Sequence, residues 1–292
     1  MDALVIINRG GGRADDGSAD RVRQALATAG VAADVVEVEG KDLAERAAKA
    51  VTAGVKLVVA AGGDGTVSAI AGALADSAAT MGVIPLGTLN HFARDLGIPA
   101  DLDKACALLG AGRPRRIDLA ELNGRIFINN SALGLYPLMV MDREAQQNRL
   151  GRSKLLAMVV ASVRALARFR HHRLSLTVNE SLKRIDTPLL FVGNNDYRLD
   201  IGGAGQRDSL NGGRLCVFVM GPHGRLGLFA VMLRVLFGSA RPGDMVQLDD
   251  VQRLRLDSHR SYLTVSLDGE ICQQKPPLDY RVRPKALTVL AP

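Results

Sequence analysis

Residues 57–66 read Leu-Val-Val-Ala-Ala-Gly-Gly-Asp-Gly-Thr, an apolar run that breaks into glycines around one carboxylate. Residues 57–61 are long enough for a strand buried on both faces, which is the strand type of a parallel sheet covered by helices. Gly62, Gly63 and Gly65 permit backbone approaches that a Cβ would block. Thr66 is placed to cap the amphipathic stretch 67–74, so the glycines are expected at a helix N-terminus. Free N–H groups and the helix dipole favour phosphate there. Asp64 is acidic in a place built for anions, which points to a metal, a sugar hydroxyl or a proton to abstract. The turn matches neither common phosphate loop. No G-x-x-x-x-G-K-[ST] run occurs, and Ser68 stands where the dinucleotide fingerprint needs its third glycine.

Two more turns repeat the pattern. Residues 81–86 form a second apolar run, followed by Gly87, Thr88, Leu89 and Asn90. Residues 91–99 then read as a short helix closed by Gly97 and Pro99. At the start, residues 4–7 read as a strand running into Asn8, Arg9 and three glycines from Gly10. Three such turns at strand carboxyl ends can converge in one crevice of an open parallel sheet. Helices are expected over 18–29 and 42–53, each closed by a glycine (Gly30, Gly54). From residue 115 the runs become short and strand-like, over 116–121, 125–129, 173–178, 189–193, 214–220, 262–267 and 287–290. Helical stretches at 154–169 and 226–237 interrupt them. The expected architecture is an open parallel-sheet α/β domain over residues 1–120, followed by an antiparallel β-rich domain over 121–292.

These residues carry a resemblance. Gly62-Gly-Asp-Gly-Thr66, followed by Pro85-Leu-Gly-Thr-Leu-Asn-His-Phe-Ala-Arg-Asp-Leu-Gly-Ile-Pro99, resembles the diacylglycerol kinase catalytic-domain family. That family includes bacterial lipid kinases and is similar to sphingosine and ceramide kinases. Asn8 and its glycines, Ile117-Asp-Leu119, Asn129-Asn-Ser-Ala-Leu-Gly134, Gly193-Asn194 and Leu267-Asp-Gly-Glu270 fall in the family's order. The resemblance spans nearly the whole chain; the segment from Pro85 to Pro99 is its most specific part, since GGDGT is shared with NAD kinases and phosphofructokinases. It implies a nucleotide-binding α/β domain of the NAD kinase and diacylglycerol kinase type, then a β-sandwich-like lipid-side domain.

The implied chemistry is transfer of the γ-phosphoryl group of ATP, with Mg²⁺, to a hydroxyl of diacylglycerol or a related lipid. Phosphoryl transfer needs phosphate clamps, charge compensation and a carboxylate to take the hydroxyl proton. Asn8, Gly10, Gly62, Gly63, Asp64, Gly65, Thr66, Gly87, Thr88 and Asn90 are the candidate ATP-binding residues. Asn8 and Asn90 can either line the site or hold their own turns. Asp64 and Asp268 compete for general base. On composition, Asp268-Gly269 reads as a hairpin turn. The resemblance favours it as the base, because family members keep an acidic DGE motif facing the nucleotide domain, with Asp64 orienting Mg²⁺-ATP. Glu270 would support the metal, making Asp64 and Glu270 the candidate metal residues. Asp118 is the candidate at the acceptor end of the cleft. One departure concerns residues 210–215, Leu-Asn-Gly-Gly-Arg-Leu. Bacterial relatives often carry Asp-Asp-Gly there, associated with a structural Mg²⁺, and Gly212 removes a side-chain ligand.

Charge suggests a partner. The 37 Lys and Arg exceed the 30 Asp and Glu, a net charge of +7. Residues 142–173 hold eight bases against two acids, nearly the whole excess. Arg164 and Arg168 lie one helical turn apart beside Leu155, Val159, Leu166 and Phe169, a pattern that suits an anionic membrane surface. An aromatic content of 4% and the lack of a nucleic-acid module argue against nucleic acid. The three cysteines are far apart, which fits a reducing compartment. No signal peptide is read at the start. A cytoplasmic protein peripherally associated with the membrane is expected, and a homo-oligomer stays open. An NAD kinase-like enzyme with a soluble acceptor and a non-catalytic lipid-binding protein of the same fold are the alternatives.

Overall fold

The computed structural model describes residues 3–10, 17–134, 171–197, 207, 209–221, 224, 227–228, 230–231 and 244–292. The first part is a βα alternation: β1 (Ala3–Asn8), α1 (Ser18–Thr28), β2 (Asp34–Val38), α2 (Leu43–Thr52), β3 (Leu57–Gly62), α3 (Asp64–Leu74), β4 (Thr80–Pro85), α4 (His91–Asp95) and α5 (Leu102–Ala111). The strands lie in the order β2-β1-β3-β4, all parallel. The apolar runs of β1, β3 and β4 are buried along nearly their full length because helices cover both faces. The chain leaves β1 toward one edge and returns as β3 on the other side. The carboxyl ends of β1 and β3 therefore flank a topological switch point, where open α/β sheets bind their ligands.

The later elements are strands: β5 (Arg113–Leu122), β6 (Arg125–Phe127), β7 (Asn130–Gly134), β8 (His172–Val178), β9 (Ser181–Thr187), β10 (Leu189–Asn194), β11 (Leu215–Met220), β12 (Met245–Val251), β13 (Arg253–Asp257), β14 (Leu263–Leu267), β15 (Glu270–Gln274) and β16 (Leu278–Ala291). A six-stranded antiparallel sheet, β12-β11-β10-β7-β14-β15, packs on the antiparallel extension of the first sheet. Leu133, Leu190, Val217, Val265 and Leu267 from one sheet meet Leu122, Leu174, Leu176, Leu254 and Tyr280 from the other in a shared core. This is the packing of a β-sandwich.

The last strand returns to the first sheet. The 14-residue β16 begins in the sandwich beside β13 and ends in the α/β sheet, where Thr288 and Val289 pair in parallel with Thr80 and Met81 of β4. Strand β5 runs antiparallel beside it along most of that length. The single strand expected over 125–129 is two: the chain pairs with β5 as far as Phe127, turns at Ile128 and Asn129, and continues in the other sheet. The helix expected from residue 67 starts at Asp64. Thr66 is its third residue, buried, and does not cap it. The expected helix at 154–169 and most of that at 226–237 lie outside the described residues. Among the described residues, no helix is long and apolar enough to cross a membrane.

Candidate active site

The first two glycine turns meet backbone to backbone. A Cβ on Gly63 would stand 3.3 Å from the Gly87 Cα, and one on Gly87 would stand 2.5 Å from the Gly63 Cα and 2.6 Å from the Asn90 Oδ1. Only glycine allows this approach. Asn90 holds its own turn: Gly87 N donates to its Oδ1 at 3.0 Å, and its Nδ2 donates to Gly87 O at 2.9 Å. Its left-handed backbone, φ 48°, is one that Asn tolerates.

Asn8 joins the third turn to this pair. Its Nδ2 donates to the Thr66 Oγ1 at 3.0 Å, and its Oδ1 accepts from Gly10 N at 3.1 Å. Asp64 spans two helices. It is the first residue of α3, yet its carboxylate accepts the N–H groups of His91 and Phe92 at 3.1 Å each, capping α4. The N-cap of α3 itself is Gly63, which brings no side-chain bond. Among the described residues, no side chain caps the first N–H groups of α3, the standard condition for phosphate at a helix N-terminus.

Asp268 comes from the opposite layer. It and Gly269 form a two-residue turn between β14 and β15, with Leu267 paired to Glu270 and positive φ at both turn residues (48° and 89°). The turn aims the Asp268 side chain at α3 and at the crossover between β6 and β7. Its Oδ1 accepts from Asn129 N at 2.7 Å and Asn130 N at 3.0 Å; its Oδ2 accepts from Ile128 N at 2.8 Å and Ser68 Oγ at 2.5 Å. Burial pushes the pKa of this carboxyl up, against the lowering effect of Ser68 and the three backbone donors. Glu270, two residues on, is exposed. It pairs with Arg125 at 2.7 Å, and its Oε1 lies 3.7 Å from where a Cβ on Gly65 would stand.

Between α2, α3 and β6 opens a cleft of 460 Å³, with Gly65, Ser68, Asp268 and Glu270 on its wall. Asp118 does not line it. Asp118 is buried, its Oδ1 accepting from Lys285 N and its Oδ2 from Gly213 N, at 2.8 and 2.7 Å. It ties β5 to β16 and to the 210–215 segment. It still reaches the site indirectly, because Asn194 Nδ2 donates to both Asp118 O and Ile128 O.

Two residues central to the site carry no motif signal. Arg207 is fully buried at its side chain and bonds Asp95, Ile128 O and Asn129 Oδ1. Ser68 was visible only as the residue that breaks a dinucleotide fingerprint. His91 sits at the start of α4 with its Nδ1 2.7 Å from Arg94 Nη2. Burial holds its imidazole pKa below the ordinary value, although Asp64 pulls the other way.

Segment 210–215 has no fit to a bound metal. Gly212 N donates to Asn195 Oδ1 at 2.7 Å, and the Arg214 guanidinium binds the Asp196 carboxylate at 2.9 and 2.5 Å. The Asp196 carboxylate is thus taken by a guanidinium, and the Asp118 carboxylate by the N–H groups of Gly213 and Lys285. Among the described residues, no three His, Cys, Asp or Glu side chains converge as a metal site.

A switch-point crevice with paired glycine turns and a helix N-terminus, with a carboxylate reaching in from a β-sandwich, is an arrangement suited to a phosphate-bearing ligand. Two family models match this chain. Residues 2–122 match the diacylglycerol kinase catalytic domain, and residues 139–291 match the YegS C-terminal NAD kinase beta sandwich-like domain. The chain belongs to this YegS-type lipid kinase family.

The chain is 41% identical over 98 residues to a probable lipid kinase YegS-like protein of Pseudomonas syringae pv. syringae, covering 33% of this chain and 32% of that one. It is 45% identical over 89 residues to a diacylglycerol kinase of Bacillus subtilis, covering 30% and 29%. These matches thus span about a third of those relatives' lengths. A probable lipid kinase YegS-like protein of Chromohalobacter salexigens aligns more fully, at 29% identity over 267 residues, covering 87% and 82%. The crystal structure of a putative diacylglycerol kinase from Bacillus anthracis superposes with a TM-score of 0.78 at 22% identity, over 100% of this chain and 97% of that one, a likeness of fold.

Proposed function

We propose that the protein is an ATP-dependent kinase that phosphorylates a hydroxyl of diacylglycerol or a related lipid. The observation that carries this reading is Asp268, a half-buried carboxylate delivered by the β-sandwich to the side of the phosphate-binding helix α3. The names of the relatives support the acceptor class.

ATP phosphates lie over the Gly62–Thr66 and Gly87–Asn90 turns and take the first N–H groups of α3. The nucleoside enters the adjoining cleft, whose wall of Ala44, Ala48, Ala69 and Gly72 suits a flat base. Kinase Mg²⁺ is usually held by one or two carboxylates together with substrate phosphates. Asp64 and Glu270 fit that role: each Asp64 oxygen spends one lone pair on an N–H, and Glu270 is half free beside Gly65. When bound, the ion offsets phosphate charge during transfer.

In the reaction, the lipid oxygen forms a bond to the γ-phosphorus, the bond to the β–γ bridging oxygen breaks, and ADP leaves. The hydroxyl proton passes to Asp268 and then to solvent. All four acceptor positions of Asp268 are taken, three of them by a fixed backbone turn. The lipid hydroxyl therefore enters by displacing the Ser68 hydroxyl, the one donor that rotates. Asp64 is held to α4 by two backbone N–H groups, which suits it to orienting the metal nucleotide.

Membrane attachment rests on the basic run 142–173, nearly all of it outside the described residues. The reading places the protein on the cytoplasmic face of an anionic membrane. The test is radiolabelled ATP offered with a lipid extract, with diacylglycerol micelles and with NAD. Label in the lipid phase, dependent on diacylglycerol, supports the reading. Label in NAD, or ATP consumption indifferent to every acceptor, contradicts it.

A further inference from the structure

One guanidinium joins the two acidic groups of the site. Asp64 holds the N-terminal end of α4 through His91 and Phe92. The C-terminal end of α4 is Asp95, nearly buried, whose Oδ2 lies 2.7 Å from both Nε and Nη2 of Arg207. The same guanidinium donates to Ile128 O at 2.5 Å and to Asn129 Oδ1 at 3.0 Å. Ile128 and Asn129 are two of the three residues whose N–H groups hold Asp268. The guanidinium carbon also lies 5.9 Å from the ring centre of Phe92 and 5.4 Å from that of Tyr197.

The five-residue helix α4 is thus a strut. One end is fixed to Asp64, and the other is fixed through Arg207 to the cradle of Asp268. A planar, always-charged fork suits this place, because it can meet a carboxylate and two further acceptors at once with its face against aromatic rings. Lysine could keep the pairing with Asp95 but could not span all three acceptors.

We propose that Arg207 is a positioning residue: it sets the separation between Asp64 and Asp268, and with it the alignment of nucleotide and acceptor hydroxyl. This rests on the proposed phosphoryl transfer from ATP to lipid. A misplacement of about 1 Å can cost on the order of 10²-fold in rate. Arg207 touches neither nucleotide nor lipid in this scheme, so the loss belongs in kcat, with ATP affinity little changed.

The test compares wild type with Arg207→Lys, which keeps the buried charge, and with Asp95→Asn, which cuts the strut from the other side. Two measurements are made on each full chain, at a temperature where thermal unfolding shows it folded. The first is amide hydrogen exchange at Ile128, Asn129 and Asn130. The expected result is faster exchange there in both variants, with the β10 and β11 amides as protected as in wild type. The second is kcat and the KM for ATP with diacylglycerol micelles and Mg²⁺. The expected result is a fall in kcat of about 10²-fold in Arg207→Lys, with the KM for ATP within about threefold of wild type. Unchanged exchange at 128–130 overturns the proposal even if wild type phosphorylates no lipid, an outcome that would separately overturn the lipid kinase reading. If wild type is active, a kcat within about threefold in folded Arg207→Lys also overturns it.

Discussion

Asp268 accepts four hydrogen bonds on two oxygens, and only the Ser68 hydroxyl among its donors is a rotatable side chain. Ser68→Ala tests whether that hydroxyl holds the place of the substrate's. A hydrogen bond nets about 1 kcal/mol, so the acceptor KM should fall by about fivefold. Ser68 donates to the charged carboxylate and so lowers its pKa; without it the pKa rises. The base must be ionised to act, so the acid limb of kcat/KM should move to higher pH. An unmoved limb with an unchanged KM would contradict the exchange of hydroxyls, and so would a collapse in kcat, which would make Ser68 a proton relay. At this scale the sequence was legible where a residue stood in a motif, as with Asp64, Asn90 and Asp268. Backbone N–H donors at Ile128, Asn129 and Asn130 leave no mark in side-chain identity. Arg207 stands between Gln206 and Asp208, and neither neighbour announces an ion pair with Asp95, 112 residues away in sequence. Asp118 shows the converse: a motif carboxylate whose oxygens both go to backbone N–H groups of β16 and the 210–215 segment.

The glycine turns are where element and function coincide. Gly87 faces the Gly63 backbone and the Asn90 amide, so an added Cβ at Gly87 has nowhere to go without moving a turn. Gly87→Ala should therefore weaken ATP binding by about tenfold or more while the melting transition stays cooperative, because the contact lies at the sheet's rim and outside its core. Titration calorimetry with Mg²⁺-ATP checks this. Wild-type affinity in a folded variant would place the phosphates elsewhere. The βα units were legible because β1, β3 and β4 are largely apolar runs, with Asn8, Gly62 and Gly87 at or just past their ends. Strands β9, β12 and β13 were not, because each has a solvent face rich in charge: Lys183, Arg184 and Asp186; Asp249 and Asp250; Arg253 and Arg255. Their apolar faces are too short to show as runs. The helix start was misplaced because a threonine after glycine is a strong capping signal, whereas here Thr66 turns inward to accept from Asn8.

At the scale of the whole molecule, the site exists because two layers meet. The switch point of the α/β sheet supplies the glycine turns, and the β14–β15 turn of the sandwich supplies Asp268. Strand β16 runs along the ten-stranded sheet, from the part beside β13 that packs on the six-stranded sheet to the parallel part beside β4. That span was hidden from a linear reading.

The charge balance belongs to this scale too. Residues 142–173 carry nearly the entire positive excess. Basic residues near an anionic leaflet contribute roughly 1 kcal/mol each. Reversing Arg164 and Arg168 to glutamate should therefore weaken sedimentation with anionic vesicles, and added salt should weaken that of the wild type. Full sedimentation of the reversed variant at low salt would leave the run without a membrane role.

The central claim is that a carboxylate from the sandwich takes the proton of a lipid hydroxyl at an ATP site built by the α/β sheet. The most direct measurement is steady-state lipid phosphorylation by Asp268→Asn beside wild type, with ATP binding measured on the same samples. Asparagine keeps the shape but turns an amide toward N–H donors, at a cost of about 1–3 kcal/mol, so turnover is read below the variant's own melting transition. The account predicts a loss of ~10²–10⁴-fold in turnover with ATP affinity little changed. Near-normal turnover in folded Asp268→Asn would contradict it.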